Sequence, residues 1–262
     1  MTKQAGPCTG SERRVTIGAA AALSSLDILN RSASSRCGDC LVRERAFCAS
    51  AAPGSLPELL RHQHVSVRDA YTTLFLQEDV ADAVYIVRYG AIRLVKLTPD
   101  GRRQVLGFAL PGDIVGLVHE KHHAFSAETI VETGLCALSR ADIEQVVRTD
   151  PGLMRRLYAI SAQSLSHAYA QMLLLGRKTA LEKVASFLLH LSERQVEAGL
   201  PASPIYLPMS GMDIADHLGL RVETVSRCLT RLRSMGLVGA TREQRIDIMM
   251  PAELRAKAMF PR

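Results

Sequence analysis

The chain has 262 residues, 47% of them hydrophobic and 22% charged, with a formal net charge of +6 and no tryptophan. That length exceeds one ordinary domain and allows two modest cores with connecting segments, and the composition is that of a folded globular protein rather than a disordered or fibrous one. A basic balance permits a polyanionic partner, and the lack of any apolar run near the ~18 residues that a spanning helix needs argues against an integral membrane protein.

Residues 1–36 are rich in Ser, Ala and Gly without a sustained period, which reads as a flexible arm. Within it, Arg13-Arg14 followed by an apolar run over 17–23 has the outline of a twin-arginine export signal, but a short alanine-rich tail accounts for it as well. The unit 37–150 opens on Cys37-Gly-Asp-Cys40 and continues to Cys48. Three thiols in so short a stretch are expected of a metal site and not of scattered core cysteines. Runs rich in Val, Ile, Leu and Tyr follow, broken by Gly, Pro and Asp at intervals of about ten residues. Strands are expected over 83–87, 92–97 and 104–108, with turns at Tyr89-Gly90, Pro99-Asp-Gly101 and Pro111-Gly-Asp113. Antiparallel strands of this texture close as a roll or barrel.

Asp150-Pro151 starts a helix with proline at its first position, and no breaker appears before Gly176. The segment 151–178 is therefore one long helix. Met154, Tyr158, Ser161, Leu165, Ala168, Met172 and Leu175 step along it by four and three, the spacing of a coiled-coil seam. The stripe suggests a homodimer interface, although its period alone also allows packing on the chain's own β-domain. Between Asp150 and Glu182 no acidic residue occurs, so nothing in the seam repels by like charge.

The unit 179–262 is helical over 179–191, 211–218 and 222–234, and then Leu237-Val238 and Ile246-Asp-Ile-Met249 flank a polar turn as a hairpin would. Three helices and a hairpin make a winged helix. The 211–218 helix, a tight turn at Gly219 and the 222–234 helix have the spacing of a helix-turn-helix. The second helix turns Val222, Val225, Leu229 and Leu232 inward, which leaves Glu223, Ser226 and Arg227 outward near its N-terminus, where base edges come within reach. Arg can grip guanine through O6 and N7, Glu can accept from cytosine N4, and Ser can serve either kind of edge. Arg221, Arg231 and Arg233 are placed to hold phosphates, which positions the helix without specifying sequence.

Gly219-Leu-Arg-Val-Glu-Thr-Val-Ser-Arg227 resembles the recognition helix of Crp/Fnr transcription regulators, and its Glu223-x-x-Ser226-Arg227 pattern is similar to the Fnr and FixK branches rather than to the cyclic-AMP receptor proteins. The resemblance covers about residues 37–250. It implies an α+β protein with a cyclic-nucleotide-binding-like β-roll, a dimerisation helix and a winged helix-turn-helix. It further implies two-fold TTGAT-type sites on double-stranded DNA, a homodimer to match them, and RNA polymerase as a partner.

Of the six cysteines, Cys37, Cys40, Cys48 and Cys136 fall where Fnr proteins hold a 4Fe-4S cluster, three in an N-terminal segment and the fourth in the β-roll. Spacing alone would accept zinc as readily. The resemblance implies the cluster, and with it oxygen sensing. Cys228 reads as core packing, and Cys8 lies in the arm. Pro111-Gly-Asp-Ile-Val-Gly-Leu117 stands in the place of the family's glycine-acidic loop, yet 118–128 contains no arginine to grip a cyclic phosphate, and Lys121 is a poorer substitute. Cyclic-nucleotide binding is not expected. His119, His122 and His123 read as a polar surface turn.

Three functions compete: a cluster-bearing oxygen sensor, a regulator using zinc or thiol oxidation, and a redox enzyme or electron carrier. The last finds no nucleotide fingerprint, nucleophile–base pair or paired carboxylates, and would leave the helix-turn-helix unexplained. The sequence thus points to a cytoplasmic regulator and not an enzyme, in a compartment where disulfides are a poor alternative for the cysteines.

Overall fold

The protein is described by a computed structural model covering residues 37, 40, 42–118 and 120–259. The arm 1–36 with Cys8, and His119, lie outside the described residues.

Eight strands form the first domain: β1 His64–Arg68, β2 Thr73–Phe75, β3 Ala83–Tyr89, β4 Ile92–Leu97, β5 Arg103–Ala109, β6 Ile114–Val115, β7 Ser126–Thr129 and β8 Thr133–Ser139. They make two antiparallel sheets, ordered β1-β8-β3-β6 and β2-β7-β4-β5. Alternation along the strands decides what each face covers. Val87, Val115 and Leu135 of the first sheet pack against Phe75, Ile92, Ala109 and Ala127 of the second, which closes the roll. On the other face of the first sheet, Val84, Ile86, Cys136 and Leu138 are buried under Val42, Ala46, Phe47, Leu59 and Ile143. The strand pair β3 and β8 is therefore covered on both sides, one of them by the cysteine-bearing segment.

That segment carries a 3-10 turn, Phe47–Ser50, and leads to α1 Leu56–Leu59. After β8, Ser139 caps α2 Arg140–Val147, an element the sequence reading did not anticipate. The long helix α3 spans Pro151–Arg177, with the Asp150 carboxylate accepting from the backbone N–H of Gly152 and Leu153. Almost the whole outward length of α3 is exposed: Tyr158, Leu165, Tyr169 and Met172 are each more than half open to solvent. The stripe does not pack on the chain's own β-domain, which touches α3 chiefly through the buried Leu153.

The second domain contains α4 Ala180–Glu197, β9 Ile205–Tyr206, α5 Gly211–Leu218, α6 Val222–Ser234, β10 Arg245–Ile246 and α7 Pro251–Ala258. Capping boxes start two of these helices, Thr179 with Glu182 on α4 and Ser210 with Asp213 on α5. The expected hairpin is present as a short antiparallel pairing, with bridges at Val238–Ile248 and Arg242–Arg245 and backbone bonds from Gly239 to Asp247 and from Met249 to Leu237. β10 also pairs with β9, a two-residue strand hidden among Pro201, Pro204 and Pro208, which no propensity argument would favour. Among the described residues no helix is long and apolar enough to cross a membrane.

The two domains share a core, because Val95, Val105 and Phe108 of the β-roll lie in one buried cluster with Phe187, Leu188, Ile214 and Leu218. Ion pairs fix the orientation of this contact. Arg93 and Arg103, from β4 and β5, reach the Asp213 carboxylate at 3.0 and 3.2 Å, and the Asp213 side chain is only 1% exposed. Asp213→Ala removes a helix cap and one of the two carboxylates at each guanidinium, leaving Arg93 with Glu128 and Arg103 with Asp216, so it should destabilise the protein by about 1–2 kcal/mol. Urea unfolding followed by circular dichroism measures the loss, and a change near zero would show that the shared apolar core alone holds the domains together.

Candidate cysteine and nucleic-acid-binding sites

Val42, Ala46 and Phe47, each at most 1% exposed, recur on one side of the cysteine-bearing segment and pin it to the sheet. The segment is also fastened to the start of α3. The second oxygen of the Asp150 carboxylate accepts from the Ala52 N–H at 2.8 Å, so one side chain caps the helix and holds the segment. Gly152 makes the close approach possible, since a Cβ there would stand 2.6 Å from the Ser50 carbonyl oxygen.

With the segment seated, Cys37, Cys40 and Cys48 come to one pocket with Cys136, alongside Arg43, Gln63 and Arg88. Cys136 reaches it from the middle of the sheet, where it stands opposite Ile86 on β3 and Val65 on β1. The Gln63 side-chain oxygen accepts from the Cys37 thiol at 3.2 Å and lies 3.9 Å from the Cys136 sulfur. Burial pushes the Cys136 thiol up to about 12, reinforced by Cys37, Cys48 and Cys40 and opposed by Arg88. Burial likewise pushes Cys48 up to about 11, with Cys40 and Cys37 adding to it and Arg43 opposing. Cys48 and Cys136 therefore resist ionising, and a cationic group entering beside them would have to displace their protons.

The donor set is chemically suited to iron–sulfur ligation, one thiolate for each iron. Four thiolates would also suit a single zinc ion, which draws its sulfurs to about 2.3 Å from one centre. Among the described residues no three His, Cys, Asp or Glu side chains stand in position to hold one metal ion. Cys228 is apart from them, buried in the core beneath α6.

In the second domain, α5 ends at Gly219, whose φ of +60 turns the chain into α6. Val225, Cys228 and Leu232 are buried, with Val222 and Leu229 packed partly against the same core. Glu223, Ser226 and Arg227 are exposed together near the N-terminus of α6, and Arg221, Arg231 and Arg233 are exposed around them. Arg233 Nε donates to the Gly239 carbonyl at 3.4 Å and so touches the wing. The wing also presents the exposed Arg242, which the sequence reading passed over because it sits in a turn with no period.

Elsewhere in the β-roll the structure corrects one expectation. His122 is exposed, but His123 is 3% exposed and stacks on Phe75 with ring centroids 3.6 Å apart. Its backbone is pinned to the 78–79 turn by bonds to Asp79 and Glu78, which draws the ring inward. In the glycine-acidic turn, Asp113 pairs with Arg194 and accepts from the Leu110 N–H, so its carboxylate is already engaged within the chain.

Residues 69–150 match the cyclic nucleotide-binding domain family and residues 182–257 the Crp-like helix-turn-helix domain family. The chain is 41% identical to the nitrogen fixation regulation protein FixK of Bradyrhizobium diazoefficiens over 225 residues, 85% of this chain and 93% of that one. It is 33% identical to the transcriptional activator protein FnrL of Cereibacter sphaeroides, covering 85% of this chain and 92% of that one. The solved structure of FixK2 from Bradyrhizobium japonicum superposes with a TM-score of 0.71 at 37% identity, over 76% of this chain and 99% of that one.

The Asp150 link gives the site a pH signature. Hydrogen bonds from the backbone N–H of Ala52 and Leu153, and from Ser55, hold its carboxyl down to about 2. A depressed carboxyl stabilises the fold fully above its unfolded value of about 3.9, and the contribution is lost as pH falls toward 2. Asp150→Asn should therefore be less stable than wild type at pH 6, with the difference shrinking between pH 4 and 2. Urea midpoints across that range test it, and a constant difference would place the loss in packing instead.

Proposed function

The chain belongs to the Crp/Fnr family of DNA-binding transcription regulators, and from that premise we propose that it is an activator whose DNA binding is set by an oxygen-labile 4Fe-4S cluster on Cys37, Cys40, Cys48 and Cys136. It is a regulator and not an enzyme, as are its relatives. The observation that carries the cluster reading is the convergence of Cys136, 88 positions beyond Cys48 (136 − 48), on the pocket that the other three thiols line.

When bound, the cluster would supply a centre that oxygen converts, which alters how the thiolates are held. Everything else is the work of this chain. Arg43 and Arg88 lie against the pocket and offset the negative charge that four thiolates bring. Val42, Ala46 and Phe47 exclude water from one side of the site. The exposed stripe on α3 is the surface for a second copy, and the two recognition helices of such a dimer would meet two half-sites of TTGAT type. RNA polymerase is the expected partner of the bound dimer in the cytoplasm.

On DNA, Arg227 reads guanine and Arg231 holds phosphate. Arg227→Ala should cost roughly 1–3 kcal/mol at a TTGAT-type duplex and relax discrimination at the guanine, while Arg231→Ala should weaken all sequences alike. Titrations on matched and guanine-substituted duplexes at one salt concentration separate them. Equal losses on both duplexes for Arg227→Ala would remove it from the reading role.

For the cluster, serine in place of Cys37, Cys40, Cys48 or Cys136 should each abolish iron and sulfide binding and anaerobic activation, while Cys8→Ser and Cys228→Ser keep both. Iron and sulfide assays on anaerobically purified variants measure this. Full iron in Cys136→Ser would exclude the strand cysteine from the ligand set.

A further inference from the structure

Arg45 lies within the cysteine-bearing segment, between Cys40 and Cys48, yet it contacts two elements beyond the pocket. Its guanidinium Nη1 donates to the Ala198 carbonyl at 2.7 Å. Ala198 follows directly on α4, the first helix of the DNA-binding domain, where the last carbonyls have no partner within the helix and a cation is favoured by the helix dipole. The backbone carbonyl of Arg45 in turn accepts from Arg156 Nη2 on α3, also at 2.7 Å. One residue of the cysteine segment is thus bonded at once to the long helix and to the DNA-binding domain.

The end of α4 has a second tether of a different kind. Arg194, in its last turn, pairs with Asp113 and donates to the Phe108 carbonyl at 2.9 Å. Both of those partners belong to the rigid β-roll, so this tether does not depend on what the thiols hold. Arg45 is different, because it rides on the segment that must rearrange when the four sulfurs take up or release a group. A hydrogen bond of 2.7 Å is lost once its atoms part by little more than 1 Å, so a small shift of the segment is enough to release α4.

We propose that Arg45 is a positioning residue that sets the orientation of the DNA-binding domain according to the state of the cysteine site. With the segment in place, Arg45 and Arg194 fix α4 at two points and so fix the helix-turn-helix that packs on it. With the segment displaced, the Arg194 tether and the Asp213 ion pairs remain, and the C-terminal end of α4 loses its second anchor and can shift relative to them. The proposal rests on the cluster reading given above, and it adds the route by which that site would reach DNA.

The test uses the full-length protein, purified anaerobically, as wild type, Arg45→Ala and Arg45→Lys. Iron content and visible absorbance report the cluster. Affinity for a two-fold TTGAT-type duplex is measured before and after controlled exposure to air, and the ratio of the two affinities reports the coupling. Arg45→Ala should keep full iron while that ratio shrinks roughly tenfold, well within the range of allosteric couplings. Arg45→Lys, which keeps a single donor on a long stem, should restore part of it, a rescue that a mere packing role would not give. Full iron with an unchanged ratio in Arg45→Ala overturns the proposal. Loss of iron in that variant also overturns it, assigning Arg45 to building the site. A wild-type protein without iron instead defeats the cluster reading itself, and the proposal falls with it.

Discussion

The arrangement depends above all on the seating of a short segment against the first turn of a helix. Asp150 caps α3 with one carboxylate oxygen and holds the Ala52 N–H with the other, and Gly152 lets the Ser50 carbonyl approach where any side chain would collide. Without that contact Val42, Ala46 and Phe47 would have no fixed place on the sheet, and Cys37, Cys40 and Cys48 would have no reason to meet Cys136. A thiol pocket is thereby built on the same turn that begins the long helix. The thiol pocket and the long helix are joined by construction.

A second constraint operates at the other end of the molecule. The β-roll and the DNA-binding domain share buried apolar residues, and Asp213 accepts two arginines while capping the first helix of the helix-turn-helix. Buried ion pairs of this kind add little net stability against an apolar alternative, but they specify one relative orientation, because any other leaves charge uncompensated. The recognition helix buries Val225, Cys228 and Leu232 in the same core and keeps Glu223, Ser226 and Arg227 open to solvent. Orientation is set on one side of the domain and reading is done on the other.

Much of this was legible in the sequence because it is written in local signals. Pro151 and the absence of a breaker from Leu153 to Leu175 mark the long helix, and Gly219 with the spacing of Val225 and Leu232 marks the helix-turn-helix, whose second helix, Val222–Ser234, matches the expected bounds. β4, Ile92–Leu97, likewise matches. What escaped is what only the fold brings together. The strand Ile205–Tyr206 is too short and too surrounded by proline to show a period, and the helix Arg140–Val147 follows β8 without a break. His123 looks like its exposed neighbour His122 until the Phe75 ring is placed against it. The bonds from Arg45 to Ala198 and from Arg103 to Asp213 join residues more than a hundred positions apart, which no spacing rule can reach. The cysteines were legible as a set, but not the segment's attachment to α3.

The central claim is that the four converging thiols hold a polynuclear iron–sulfur group, and Mössbauer spectroscopy of the wild-type protein, expressed with isotopically enriched iron and kept strictly anaerobic, tests it most directly. The account predicts the quadrupole doublet of a diamagnetic 4Fe-4S cluster, with iron and sulfide in equal amounts, collapsing on exposure to air. A colourless protein carrying zinc, or no metal, with unchanged DNA affinity in air would contradict it.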